Sequence, residues 1–166
     1  MAVADAPGRK AQSLRLLGDE RLARLAEGGS SAAFAAIYAR HAPPLHAYCR
    51  ALVRHDADAA DVLQTTMMKA LTALRSEQRT GPLRPWLFRI AHNEAISLLR
   101  ARGRGATPVE TLPESASADT YREVEAREAL TEVLDDLGRL TQHQRSPLVM
   151  RALAGMSYDE IAGALD

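Results

Sequence analysis

Arg84-Pro85-Trp86-Leu87-Phe88-Arg89-Ile90-Ala91-His92-Asn93-Glu94-Ala95-Ile96-Ser97-Leu98-Leu99-Arg100-Ala101-Arg102-Gly103-Arg104 decides how this chain folds. Leu87, Ile90, Ala91, Ala95 and Leu98 recur at three- and four-residue steps, the period of a half-buried helix. Pro85 suits the start of that helix, because a first-turn residue can lack its N–H at no cost. The other surface carries Arg89, His92, Asn93 and Arg100, followed by Arg102 and Arg104. Guanidinium and amide groups are what phosphate and base-edge contacts require. A solvated charged face is the bland alternative, and the flanking sequence has to decide between them.

Upstream lies Asp56-Ala-Asp58-Ala-Ala-Asp61-Val-Leu-Gln64-Thr-Thr-Met-Met-Lys69-Ala-Leu-Thr-Ala-Leu74. Asp58 can cap a helix here, with Asp61 near the positive end of its dipole. Leu63, Met67, Ala70, Leu71 and Leu74 form a buried stripe. Asp61, Gln64, Thr65, Met68 and Thr72 remain on the opposite face as an acidic-to-neutral docking surface.

These two helices, with the loop from Arg75 to Arg84 between them, resemble the promoter-melting domain of bacterial RNA polymerase sigma factors. The resemblance is to the small extracytoplasmic-function (ECF) group. The family's acidic pair and Asp-Leu-Val-Gln motif is similar to Asp58 followed by Asp61-Val62-Leu63-Gln64. Its Trp-Leu, Ile-Ala, Asn series is similar to Trp86-Leu87, Ile90-Ala91 and Asn93. Ser30 to His41, with Phe34, Ile37 and Tyr38 as packing residues, resembles the family's opening helix. Each motif alone is weak, since Ala- and Leu-rich helices are common; three in order at compatible spacing are specific.

The resemblance implies a transcription initiation factor that binds core polymerase, through its clamp helices and flap, and reads and melts the minus-ten element of promoter DNA. On that reading Asp58, Asp61, Gln64, Thr65 and Met68 face the polymerase. Lys69, Ser76, Glu77, Arg79, Arg84, Arg89, Ile90, Asn93 and Arg100 face DNA. Asn93 can offer a donor and an acceptor to one base, and Ile90 an apolar contact beside it. Trp86 is a core anchor in preference to a stacking surface. An anti-sigma factor is a further partner of such proteins. One departure is Ser97, where the family has Asp.

Composition suits a helical protein: 46% of the 166 residues are hydrophobic and only 4% aromatic. The sequence shows no bilayer-length apolar run and no signal-peptide pattern, so no membrane insertion is expected. Cys49 is the only cysteine, which rules out an intrachain disulfide and fits a cytoplasmic location. The net charge of zero conceals an asymmetry. Residues 1–104 hold sixteen Lys or Arg against nine Asp or Glu, whereas residues 105–166 hold five against twelve. Residues 75–104 alone carry seven Arg and two Glu, a candidate nucleic-acid footprint.

The expected organisation is all-α, with two small helical domains joined by a flexible linker. Residues 1–18 form a flexible extension. Residues 19–104 form sigma domain 2, with helices over about Glu20–Glu27, Ser31–Arg40 and Leu45–His55. Pro43-Pro44 separates the last two or kinks them together. Residues 105–119 are the linker, whose Glu110, Glu114 and Asp119 either mimic a nucleic-acid backbone or merely keep a tether soluble.

Residues 120–166 form sigma domain 4. Ala126, Leu130, Val133, Leu134 and Leu137 mark one amphipathic helix, and Leu148, Val149, Ala152 and Leu153 mark the next. Thr141 with Gln144 and Ser157 with Glu160 have capping-box form, and Ile161-Ala162 opens a further helix. This resembles the first half of a helix-turn-helix. The turn and recognition helix that the family places next are expected to be missing, leaving the domain incomplete. Pro147 falls inside the presumed helix, at a cost of about 3 kcal/mol unless the helix bends or starts later.

No catalytic constellation is apparent, so no enzyme activity and no cofactor are expected. His41, His46, His55, His92 and His143 are dispersed, and Ser, His and Asp occur without a nucleophile-elbow motif. His46 with Cys49 could be half a zinc site, but no second pair with ligand spacing follows, so no metal is expected. Two other functions stay open: a sigma-like adaptor that binds polymerase or an anti-sigma factor without initiating, and a helix-turn-helix regulator that binds DNA alone.

Overall fold

The computed structural model describes residue 14 and residues 16–103 and 139–166. Those residues form six α-helices: α1 Asp19–Glu27, α2 Ser31–Val53, α3 Asp56–Arg75, α4 Leu83–Gly103, α5 Gln142–Ala154 and α6 Tyr158–Leu165. The expectations for residues 1–13, for Arg104, for the 105–119 linker and for the Ala126–Leu137 helix fall outside the described residues.

α1 buries Leu22, Ala23 and Ala26. It ends where Gly29 takes φ 88°, a left-handed conformation that glycine adopts without steric cost. The Ser30 hydroxyl then accepts from the Ala33 amide at 3.2 Å and opens α2.

Pro43 and Pro44 do not divide α2, which runs unbroken for 23 residues. Each proline removes one helical N–H and crowds the carbonyl four residues back. Tertiary contacts oppose that loss. Arg40 donates to Asp19 Oδ1 at 2.5 Å and to the Leu17 carbonyl at 2.8 Å, and His41 Nε2 lies 3.0 Å from Asp19 Oδ2. Ala42, Leu45, Tyr48, Cys49 and Leu52 are buried on both sides of the prolines.

The cap of α3 is His55, not Asp58: its Nδ1 accepts from the Asp58 amide at 3.4 Å. Asp58 lies inside the first turn, where its carboxylate still complements the helix dipole. At the other end Gln78 N donates to the Ala73 carbonyl at 2.9 Å and Glu77 N to the Leu74 carbonyl at 3.1 Å. This is a Schellman ending with Glu77, at φ 53°, in the position usually held by glycine.

α4 begins at Leu83, two residues before Pro85. Pro85 still lies in the first turn, where its N–H would have had no partner within the helix. The Leu83 amide is satisfied from a distance, by Glu20 Oε1 of α1 at 3.0 Å.

Val149, Met150 and Ala154 of α5 turn inward, while Leu148 and Leu153 are about half exposed. The expected stripe is therefore rotated. Apolar residues at 148–150 and 152–154 nearly encircle this short helix, so period alone could not choose a face. Pro147 sits within α5 without ending it. Ser157 and Glu160 form the expected reciprocal cap of α6, with amide-to-side-chain bonds of 2.8 and 3.2 Å. α5 packs on α2 and α6 on α4, so Val149, Met150, Met156 and Ala164 join one core with Leu45, Tyr48, Leu87 and Phe88.

Candidate functional site

Two surfaces carry the residues singled out in the sequence. The first is the outward face of α3. Val62, Leu63, Thr66, Met67, Ala70 and Leu74 anchor it to the core. The helical period therefore leaves Asp61, Gln64 and Met68 exposed, and Thr65 and Leu71 half-buried. Beside this face an apolar groove of about 330 Å³ is lined by Phe34 and Tyr38 of α2 and by Leu63, Gln64, Met67 and Met68 of α3. Met68 is 63% exposed, a large apolar side chain held in solvent. Asp58 does not share this surface. Its carboxylate lies 3.1 Å from His55 Nδ1 and pairs with Arg102 of α4.

The second surface follows the loop after α3 and the length of α4. Leu83, Trp86, Leu87, Phe88, Ala91 and Ala95 are buried, so Trp86 is a core residue as expected. Asn93 and Arg100 are exposed, and Ile90 and Arg89 are half-buried. Asn93 makes no side-chain hydrogen bond among the described residues, and Arg100 makes no ion pair there. Arg89 donates to the Thr80 hydroxyl at 2.6 Å. Lys69 is exposed and pairs with Glu94. Ser76 and Glu77 are exposed, the Ser76 hydroxyl donating to the Thr72 carbonyl at 3.1 Å.

Two further arginines of this surface are engaged internally. Arg79, with a side chain only 12% exposed, meets Glu20 at 2.9 Å and Glu27 at 3.1 Å. Burial works against its charge, but the bonds it donates to Glu27 and Glu20 outweigh that and raise its pKa above the ordinary arginine value. Arg84 donates to the Ala154 carbonyl at the end of α5 and lies 3.7 Å from Glu160 of α6.

His92, read from the sequence as part of the basic face, is half-buried. Its Nδ1 lies 2.8 Å from the Tyr48 hydroxyl. Burial, then the charges of His143 and Arg100, push its pKa below 6.5, so near neutral pH it is an uncharged hydrogen-bonding partner. Cys49 is fully buried and its thiol is pushed up to about 12 by burial, which leaves it unreactive. Among the described residues no group of three or more His, Cys, Asp or Glu could hold a metal ion. None of their helices is long and apolar enough to cross a membrane.

Sequence reading missed Glu20, Glu27 and Glu160 as partners of Arg79 and Arg84. They lie roughly fifty to eighty residues away along the chain, and no local spacing rule links them.

Among the described residues the fold is all-helical, with an apolar groove beside the exposed face of α3 and an exposed, arginine-bearing face along α4. Residues 37–105 match the Sigma-70 region 2 family. The chain is 33% identical over 153 residues to RNA polymerase sigma factor NccH of Alcaligenes xylosoxydans xylosoxydans, covering 89% of this chain and 82% of that protein. It is 39% identical over 126 residues to ECF RNA polymerase sigma factor SigD of Mycobacterium tuberculosis, covering 71% of this chain and 59% of SigD. Among solved structures, CnrH in complex with the cytosolic domain of CnrY superposes with a TM-score of 0.66 at 31% identity, covering 89% of this chain and 82% of that one. The chain belongs to the RNA polymerase sigma factors, transcription initiation factors that direct polymerase to promoters.

Proposed function

We propose that this sigma factor docks on the clamp helices of core polymerase through Asp61, Gln64, Thr65 and Met68 of α3, and reads and melts the minus-ten element with the Ser76–Gln78 loop and α4. The observation that carries this is the exposure of Asn93 on α4, its amide uncommitted among the described residues, on the side away from Leu87 and Ala91. Melting takes a base out of the stack, which costs a few kcal/mol and is offset by a pocket that satisfies its edges. Asn93 supplies a donor and an acceptor for one base, and Ile90 an apolar contact beside it. Lys69, Arg89 and Arg100 supply phosphate contacts that position without specifying. Arg84 joins them only if it releases Ala154 and Glu160. Asp58 contributes by holding α3 to Arg102 of α4.

On this reading residues 19–104 act as sigma domain 2. Residues 120–166 act as sigma domain 4, which approaches the flap, with 105–119 as linker. The protein works in the cytoplasm without a cofactor, and the chemistry belongs to the polymerase. CnrH is described in complex with the cytosolic domain of CnrY, which supports an anti-sigma partner of comparable form for this chain.

Capture of core polymerase followed by run-off transcription tests the proposal. A sigma factor binds polymerase and starts transcription only with it; an adaptor binds without starting; a regulator binds duplex promoter alone. Asp61→Ala with Gln64→Ala is expected to weaken binding to core polymerase in competition while leaving helicity intact. Unchanged affinity would remove the α3 face from the mechanism.

A further inference from the structure

The loop between α3 and α4 leaves α3 through the left-handed Glu77 and turns again at Gly81, φ 76°. Between these turns Arg79 points back to α1. Its Nη2 meets Glu20 Oε2 at 2.9 Å, its Nε donates to Glu27 Oε1 at 3.1 Å, and its Nη1 donates to the Gly81 carbonyl at 2.5 Å. All three guanidinium nitrogens are thus committed to protein oxygens. The other oxygen of Glu20 accepts from the Leu83 amide at 3.0 Å. One carboxylate of α1 therefore holds both the middle of the loop and the first N–H of α4. A planar fork so engaged cannot reach a phosphate without giving up these bonds.

We infer that Arg79 is a positioning residue: with Glu20 and Glu27 it fixes the loop and the first turn of α4 in the conformation that reads the minus-ten base, and it does not itself contact DNA. The inference rests on the proposed promoter-reading role of this loop and α4. Loop order sets where the loop's side chains meet the melted base, so loosening it costs discrimination between bases more than general affinity.

The test uses the full chain, alone and with core polymerase. Amide exchange of the free protein is measured over Gln78–Leu83. Affinity of the holoenzyme is measured on single-base minus-ten variants across a salt series, for wild type, Arg79→Gln, Arg79→Lys, Glu27→Gln and the Arg79→Gln/Glu27→Gln pair. Glu27→Gln keeps the Arg79–Glu20 pair and is the mild variant should Arg79→Gln fold poorly.

Anchoring predicts that Arg79→Gln and Glu27→Gln both speed exchange, on the order of tenfold for the former. Both flatten preference for the best base, by about fivefold or more for Arg79→Gln. The pair is no worse than Arg79→Gln, Arg79→Lys falls between it and wild type, and the salt slope is unchanged. A direct phosphate contact predicts the opposite: Arg79→Gln lowers the salt slope by about one and weakens all sequences alike, Arg79→Lys behaves as wild type, and Glu27→Gln tightens binding by freeing the guanidinium. That result overturns the inference, as does unchanged exchange. Faster exchange with unaltered base preference also overturns it, provided Asn93→Ala still alters that preference. If Asn93→Ala and every Arg79 and Glu27 variant leave base preference untouched, the minus-ten reading itself falls, even where exchange shows the anchor to be real.

Discussion

The basic segment uses arginine for two opposite purposes. At the start, Arg79 and Arg84 are held by Glu20, Glu27, Glu160 and the Ala154 carbonyl, and they tie the loop and α4 to α1, α5 and α6. Further along α4, among the described residues Arg89 has only a hydroxyl partner and Arg100 no ion pair, and Asn93 between them is exposed. Arg102 then returns to the first pattern by pairing with Asp58. A charge count over residues 75–104 thus overstates the surface available to DNA. What distinguishes an anchoring arginine from a presented one is a carboxylate brought up by the fold from a distant part of the chain.

That division can be broken most forcefully in the core. Phe88 is fully buried, edge-on to Tyr48 at 5.4 Å between ring centroids. Phe88→Ala should cost about 3–5 kcal/mol of stability in urea unfolding, the range for emptying a buried aromatic site. Asn93→Ala, on the presented face, should stay within about 0.5 kcal/mol of wild type. A large loss at Asn93 would mean that this face is structural after all.

Arg84 against Arg100 is the sharper pairing, because residue type is held constant. Arg84→Ala should cost about 1 kcal/mol, the scale of a partly exposed charge-assisted bond, and should speed amide exchange in α6. Arg100→Ala should do neither, while weakening promoter binding on every sequence and lowering its salt dependence. Equal effects of the two substitutions on α6 exchange would erase the distinction.

The smallest expected effect is on pH dependence. Burial, only partly opposed by Asp19, holds His41 below 6.5, and burial with the charges of His143 and Arg100 does the same for His92. The unfolded chain therefore takes up these protons first, and stability should fall as pH drops below about 6.5. Burial pushes the Asp19 carboxyl up, but the bonds and charges of Arg40 and His41 reverse this and leave it below 3.8, so its contribution is lost only under stronger acid. Denaturation midpoints of wild type and His92→Gln between pH 5 and 7 check the first part. His92→Gln should show the shallower fall.

Much of this arrangement was legible in the sequence, for reasons that differ by element. The stripes of α3 and α4 follow helical period directly, and the outward position of Asp61, Gln64, Met68 and Asn93 follows from them. Ser157 with Glu160 names its own cap, since both partners are local. Pro43-Pro44 left separated and joined helices both open, because the cost of a proline is local, whereas the contacts that offset it and keep α2 continuous come from Asp19 and the core. Asp58 was an apt carboxylate for a helix start, but His55 takes the cap, leaving Asp58 to His55 and Arg102. The rotated face of α5 and the anchoring of Arg79 and Arg84 depend on tertiary neighbours that no window of sequence contains.

The most direct test of the account is open-complex formation by polymerase holoenzyme on a set of single-base minus-ten variants, with wild type, Asn93→Ala and Arg100→Ala compared in parallel. Asn93→Ala should reduce discrimination at one position by about 1–3 kcal/mol and leave the other positions unchanged. Arg100→Ala should lower all variants by a common factor. If Asn93→Ala lowers every variant equally, or changes only thermal stability, Asn93 does not read the promoter and the central claim fails.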